Sequence, residues 1–294
     1  MTESRTLFHV ALWMLGSITS FSLMAVAGRV LSAQLDTFEI MLWRSLTGLV
    51  IVSVILTIRE GWTQLGGRIG LHTVRNAAHF TGQNLWLYAI TAAPLAQVFA
   101  VEFTAPIWAL LLAPFFLAER LTRVRIMVAA VGFAGVLIVA RPGTDMAPGI
   151  AFAALAAFFF GITGILTRRL TRDQPLWTIL FWLTAIQAVF GLVCAGYDGA
   201  IVRPQGVMAA WAVAVGIAGL VAHLSLTKAL SLAPAAVVMP IDFARLPVIA
   251  VVGALVYGEA LEWPVVLGAG VILAANWYGL RAESRRTPTA AAVT

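Results

Sequence analysis

Apolar residues in this chain gather into stretches of about twenty, separated by short polar breaks. They fall near 7–28, 38–58, 72–91, 95–117, 124–140, 148–167, 176–196, 207–230, 235–257 and 264–280. About twenty residues at 1.5 Å each cross a hydrocarbon layer roughly 30 Å thick. The stretches are too long for barrel strands of about ten alternating residues, and only helices and closed barrels satisfy every backbone polar group in lipid. The pattern therefore predicts an all-α integral membrane bundle of ten transmembrane helices.

Two stretches carry polar residues in a pattern. In the third, His72, Asn76, His79, Gln83 and Trp86 recur at helical spacing and share one face. In the eighth, Gly216, Gly219, His223 and Thr227 do the same. Turned toward lipid such faces are expensive, so they are expected to face other helices or water. The stripe as a whole predicts a cavity lining. Any single member is equally readable as an interhelical hydrogen bond, worth about 0.6 kcal/mol, and His79 and His223 as neutral structural histidines or as proton-sensitive groups.

The chain also repeats itself. An offset of 140 pairs Ala89 with Ala229, Pro94 with Pro234, Glu102 with Asp242, Phe103 with Phe243 and Glu119 with Glu259. The proline and the acids are informative because apolar composition does not supply such matches. An odd number of spans per half makes the halves inverted, predicting one five-helix repeat over 1–145, a second over 146–282, and a disordered cytoplasmic tail over 283–294.

Composition agrees: 61% of residues are hydrophobic and 11% charged, too few charges for a water-facing surface. The net charge of +6 is arranged by loop and points to the membrane rather than to nucleic acid. With the N-terminus inside, Arg5, Arg59, Arg68, Arg75, Arg120, Arg123, Arg125, Arg168, Arg169, Arg172, Lys228, Arg281, Arg285 and Arg286 fall on the cytoplasmic side. Only Arg29, Arg141 and Arg203 fall outside, so both termini are expected in the cytoplasm. The first span is too long for a signal peptide's apolar region and ends in Arg29. Cys194 is the only cysteine, which excludes intrachain disulfides and thiolate metal cages; no cofactor or metal is expected.

Within the spans lie Arg44, Glu102, Asp242 and Arg245. Intramembrane charges are functional candidates. Arg245 follows Asp242 by one turn, which predicts a structural ion pair; Glu102 has only Ala105 at that spacing, which makes it the better site candidate, with Arg44 or His79 as partner. Pro106, Pro240 and Pro247 interrupt the fourth and ninth spans and predict kinks that either serve as hinges or are static. Glu119 and Glu259, at span ends, are expected to cap or pair at the loops.

The strings "LAERLTRVRIMVAAVGFAGVLIV", "MLWRSL" and "YGEALEWPVVLGAGVILAANWYGL" resemble the drug/metabolite transporter superfamily, specifically its EamA-type ten-helix exporters. Within these the chain is most similar to the bacterial aromatic amino-acid exporters. The resemblance covers the whole chain, with one departure: "VEFTAP" separates the acid and proline that many relatives carry as a pair. It implies a multi-pass protein of the bacterial inner membrane that exports small metabolites, amino acids above all, by alternating access.

A zwitterionic amino acid suits a site with Glu102 for the amine, Arg44 or Lys228 for the carboxylate, and Trp43, Trp86, Phe99 and Met239 for an apolar side chain, beside His79, Gln83 and His223. The same acid and aromatics suit a lipophilic organic cation, the alternative substrate. An ATPase is excluded by the absence of a phosphate-binding glycine loop. A membrane-embedded enzyme would need a converging acid and base at the interface, and a channel a filter loop, neither of which is evident. The partners expected are a small-molecule substrate and the lipid bilayer, with the oligomeric state left open.

Overall fold

The computed structural model describes residues 3–59, 61–117, 122–141, 147–232, 238 and 241–284. Among them there is no strand. The helices are α1 (Glu3–Leu31), α2 (Thr37–Ile58), α3 (Ile69–Ala92), α4 (Leu95–Glu102), α5 (Ala105–Leu117), α6 (Arg123–Ala140), α7 (Gly149–Leu170), α8 (Leu176–Ala195), α9 (Val207–Leu232), α10 (Arg245–Tyr257) and α11 (Trp263–Ser284). Seven segments among the described residues are long and apolar enough to cross a membrane, and two shorter apolar helices, Arg245–Tyr257 and Trp263–Gly279, accompany them. At 24 residues α3 is also of spanning length, and its polar stripe lowers its hydropathy.

Large apolar side chains lie exposed on the outside, and charged and amide groups lie enclosed within. Phe115 and Leu255 are each 82% exposed, as a lipid-facing side chain must be, while Arg44, Arg75, His79, Gln83, Gln187 and Asp242 are buried. A protein in water would show the reverse.

Helices pair as α1 with α9, α3 with α7, α2 with α8 and α6 with α11. Water exclusion does not hold such pairs together in lipid, so close backbone contact through small residues must. Gly135 on α6 and Gly268 on α11 meet so closely that a Cβ on Gly268 would lie 2.6 Å from the Gly135 carbonyl oxygen. Gly191 on α8 similarly admits the backbone of Leu42 on α2, 2.9 Å from where its Cβ would be.

The span predicted at 95–117 is two helices. α4 ends at Glu102, Phe103 and Thr104 form a turn, and α5 begins at Ala105. The same break recurs after Asp242, where Phe243 and Ala244 turn before α10 begins at Arg245. The prolines are not the break points: Pro106 and Pro247 lie in the first turns of α5 and α10, where a missing N–H leaves no bond unmade. Pro240 lies outside the described residues, as do Glu119, the 142–146 segment around the proposed half boundary, and residues 285–294 of the tail.

Candidate substrate site

The polar face of α3 is turned inward: His72, Asn76, His79, Gln83 and Trp86 are all buried. Asn76 Nδ2 donates to the Trp182 carbonyl on α8 at 3.0 Å. Arg75 is buried too and donates to Thr167 Oγ1 on α7 at 3.0 Å and to Asn76 Oδ1 at 2.9 Å. Arg75, counted among the cations of the cytoplasmic side, is enclosed between helices.

Deeper in the bundle, Gln187 of α8 bridges two other helices. Its Oε1 accepts from Arg44 Nη1 at 3.2 Å, and its Nε2 lies 2.7 Å from His79 Nδ1. An arginine only donates, so the amide oxygen must face Arg44 and the amide nitrogen His79, which makes Nδ1 the acceptor and leaves the ring proton on Nε2. The His79 and His223 rings meet at 5.3 Å, and His223 meets Phe21 of α1 edge-on at 5.6 Å. Gly219, one turn before His223, lies under Arg44: a Cβ there would be 2.7 Å from Nε. Gly216 gives the same room to Thr47. A small cavity is lined by Arg44, Ser45, Thr184, Gln187, Gly216 and Gly219, among others.

On the far side of Phe21 stands Arg245. Its guanidinium carbon lies 4.6 Å from the Phe21 ring centroid, 5.1 Å from that of Phe103 and 5.4 Å from that of Phe99. Arg245 Nη2 contacts both acids, Asp242 Oδ2 at 2.9 Å and Glu102 Oε1 at 3.4 Å. The partner of Glu102 is therefore Arg245, and not Arg44 or His79, with Trp86 donating its indole N–H to Oε2 at 2.7 Å. The Asp242–Arg245 pair exists but is shared. Phe103 and Phe243, the two residues at the helix breaks, meet at 5.3 Å. The Phe103 carbonyl exposed by the first break accepts from Asn276 Nδ2 of α11 at 2.6 Å.

His79, Trp86, Phe99, Glu102, His223 and Arg44 are thus joined in the bundle's interior to Asp242 and Arg245, and Gln83 is buried on the same face of α3. Two other candidates are not. The Trp43 indole donates to the Val202 carbonyl of the α8–α9 connection at 3.0 Å, and Lys228 is exposed on α9. Met239 lies outside the described residues. Arg75, Gln187, Phe21 and Asn276 are interior polar or aromatic partners that the sequence reading passed over. Among the described residues no group of three or more His, Cys, Asp or Glu is placed to hold a metal ion.

Comparison with known proteins accords with this architecture. The S-adenosylmethionine uptake transporter of Rickettsia felis is 27% identical over 274 residues, 93% of this chain and 92% of the relative. The riboflavin transporter of Brucella anthropi is 31% identical over 257 residues, 84% of this chain and 89% of the relative. A crystal structure at 19% identity superposes with a TM-score of 0.65 over 95% of this chain and 99% of that chain, a likeness of fold. The profile of the EamA-like transporter family matches twice, over residues 9–141 and again over 147–278. With both stretches matched, the chain belongs to the EamA-like transporter family and is a small-metabolite transporter rather than an enzyme.

Proposed function

We propose that the chain carries metabolites of the α-amino-acid class across the bacterial inner membrane by alternating access between two inverted five-span halves, with both termini cytoplasmic. The observation that carries this reading is the unbroken interior path of polar and aromatic contacts from Arg44 through Gln187, His79, His223 and Phe21 to Arg245, Glu102 and Trp86. It runs between helices of both halves and ends at a broken helix, the arrangement that in secondary transporters surrounds a substrate at the bilayer midplane. Cationic groups at one end and acids at the other suit a zwitterion, with aromatic rings between them for an apolar side chain.

Several features support the inverted plan. The helix breaks recur at the 140-residue offset, the family profile matches twice, and exchanging the halves maps the α1–α9 pair onto the α3–α7 pair. Counting α4 with α5 and the broken segment ending in α10 as one span each gives ten. Some relatives are named for S-adenosylmethionine, itself an α-amino acid with a sulfonium cation, which fits the same two poles. Those relatives are uptake proteins, whereas export of aromatic and other neutral amino acids is the narrower form of our reading.

Proteoliposomes loaded with unlabelled phenylalanine or S-adenosylmethionine should exchange it for the labelled compound. Absence of exchange for both, with accumulation of a cationic dye, would favour the second reading, a carrier of lipophilic cations. The chemistry that supports it is the setting of Arg245, an internal cation among three phenyl rings and two carboxylates. Imposing the substrate gradient in either direction reads the preferred sense of movement.

A further inference from the structure

We propose that Arg44, with His223 and the Gln187–His79 pair beside it, is the docking point for an oxyanion of the transported metabolite, its carboxylate. The inference deepens the transport reading above and rests on it for the identity of the solute. Its own foundation is a charge without a counterion. Arg44 is only 6% exposed, and its partners are neutral: the Gln187 amide oxygen at 3.2 Å and the Met41 sulfur at 3.7 Å. Among the described residues no carboxylate lies within ion-pair distance of it, although Arg29, Arg68 and Arg141 each have one and Arg245 has two. Arg75, a second interior cation, likewise has only hydroxyl and amide partners.

A buried charge that lacks an opposite charge is costly to the fold, and in the membrane interior more so. Such a group persists where a ligand completes it. Two enclosed nitrogens here have no hydrogen-bond partner among the described residues, Arg44 Nε and His223 Nε2. Both sit over the same stretch of α9, since Gly219 lies under Nε and His223 follows one turn later. Arg44 and Gln187 also line the cavity between α2, α8 and α9. A planar guanidinium edge presents two parallel donors to a carboxylate, and the absence of a side chain at Gly219 is what lets the guanidinium lie against α9 at the edge of this cavity. The acids at the other end of the path are already engaged by Arg245. The binding preference imposed by this pole is therefore for the anion.

The test compares ligands that differ only in that charge. Binding of phenylalanine and S-adenosylmethionine, and of phenylalaninamide and the carboxamide of S-adenosylmethionine, is measured on the purified full chain in detergent and separately by exchange in proteoliposomes. The wild type should bind each carboxylate at least tenfold more tightly than its amide. Arg44→Gln should bring the ratio within about threefold by weakening the carboxylate and leaving the amide as it was, and His223→Leu should lower the ratio partially. Arg44→Gln removes an uncompensated charge, so the unliganded variant should melt no lower than wild type. If Arg44→Gln is not recovered folded, Gly219→Ala, whose Cβ displaces the guanidinium, should lower the ratio instead. No preference for carboxylate over amide in the wild type, or a preference that survives Arg44→Gln or Gly219→Ala, overturns the assignment. An Arg44-dependent preference without exchange in proteoliposomes would keep the anion site and remove the transport reading; exchange with an Arg44-independent preference would do the opposite.

Discussion

Arg29, in the last turn of α1, is ion-paired with Glu259, 230 residues away in the chain. The two side chains tie together one end of the bundle. Arg29 also donates to the carbonyls of Ile90 at 2.5 Å and Ala93 at 2.8 Å at the end of α3 and lies 4.5 Å over the Tyr257 ring. Glu259 in turn accepts from the Leu95 backbone N–H at 2.8 Å, which caps the start of α4. Three stretches of chain, around residues 29, 90–95 and 257–259, converge there, and any opening of this end must part them.

Glu259→Gln keeps the size and one hydrogen bond of the clasp and removes its charge. The exchange should weaken closure by roughly 1–3 kcal/mol, the range for a lost charge-assisted bond. In a Cys194→Ser background, a cysteine introduced at the buried Ala93 should then react several-fold faster with a small thiol reagent. Unchanged reactivity would mean that packing alone, rather than the ion pair, keeps this end shut.

The part of this site that shows in the sequence is the part written with a helical period. The α3 stripe from His72 to Trp86 is legible because five polar or amphipathic residues fall on one face of a segment that otherwise reads as lipid-soluble. The repeat of Glu102-Phe103 at Asp242-Phe243 is legible because acids are rare in such a chain. Arg75 was missed since a basic residue near a span end is what the charge asymmetry of loops leads one to expect there. Gln187 is a single amide in an apolar helix, and Phe21 one aromatic among many, so neither has a periodic signal. The sharing of Arg245 by Glu102 was invisible because local spacing only pairs residues one turn apart. The sequence puts kinks at the prolines, whereas the helix breaks fall at Phe103–Thr104, two residues before Pro106, and at Phe243–Ala244, three before Pro247.

Because Arg245 is shared, its loss and the loss of either acid are not equivalent. Arg245→Met leaves two buried carboxylates without a cation and should destabilise the fold by about 3–5 kcal/mol. Glu102→Gln or Asp242→Asn alone leaves the arginine one acid, at a smaller cost, while the double variant leaves it none. The double variant should therefore lose more than the sum of the two single losses in thermal unfolding. Additive losses would show that the two acids act independently.

Contacts between connections assign them to ends of the bundle. Arg68 pairs with Asp173, and Thr178 Oγ1 donates to the Gln64 carbonyl at 3.0 Å, placing the α2–α3 and α7–α8 connections together. The Val202 N–H donates to Glu39 at 2.6 Å, which places the α8–α9 connection beside the start of α2, at the other end. With the basic connections inside, cysteines substituted for Thr171 and Ala200 in the Cys194→Ser background should differ in labelling. An impermeant thiol reagent outside intact cells should reach Ala200→Cys and spare Thr171→Cys. The opposite result would invert the orientation of the whole bundle.

Gln187→Glu turns the bridge between Arg44 and His79 into a counterion. The new carboxylate would have Arg44 Nη1 where the amide oxygen now accepts from it at 3.2 Å, and His79 Nδ1, now 2.7 Å from the amide nitrogen, would need a proton to bond it. Two consequences follow from the charge alone. The unliganded protein should melt higher than wild type, because an interior cation that lacked an acid has gained one. Carboxylate ligands should bind at least tenfold more weakly, because the guanidinium they would neutralise is already satisfied, while the corresponding amides should be little affected. Gln187→Leu serves as the control, since it removes the bridge without supplying a charge and should lower the melting temperature. If Gln187→Glu melted lower than Gln187→Leu and still bound carboxylates as wild type does, Arg44 would not be short of a counterion, and the asymmetry between its neutral partners and the acid-paired Arg245 would carry no consequence for binding.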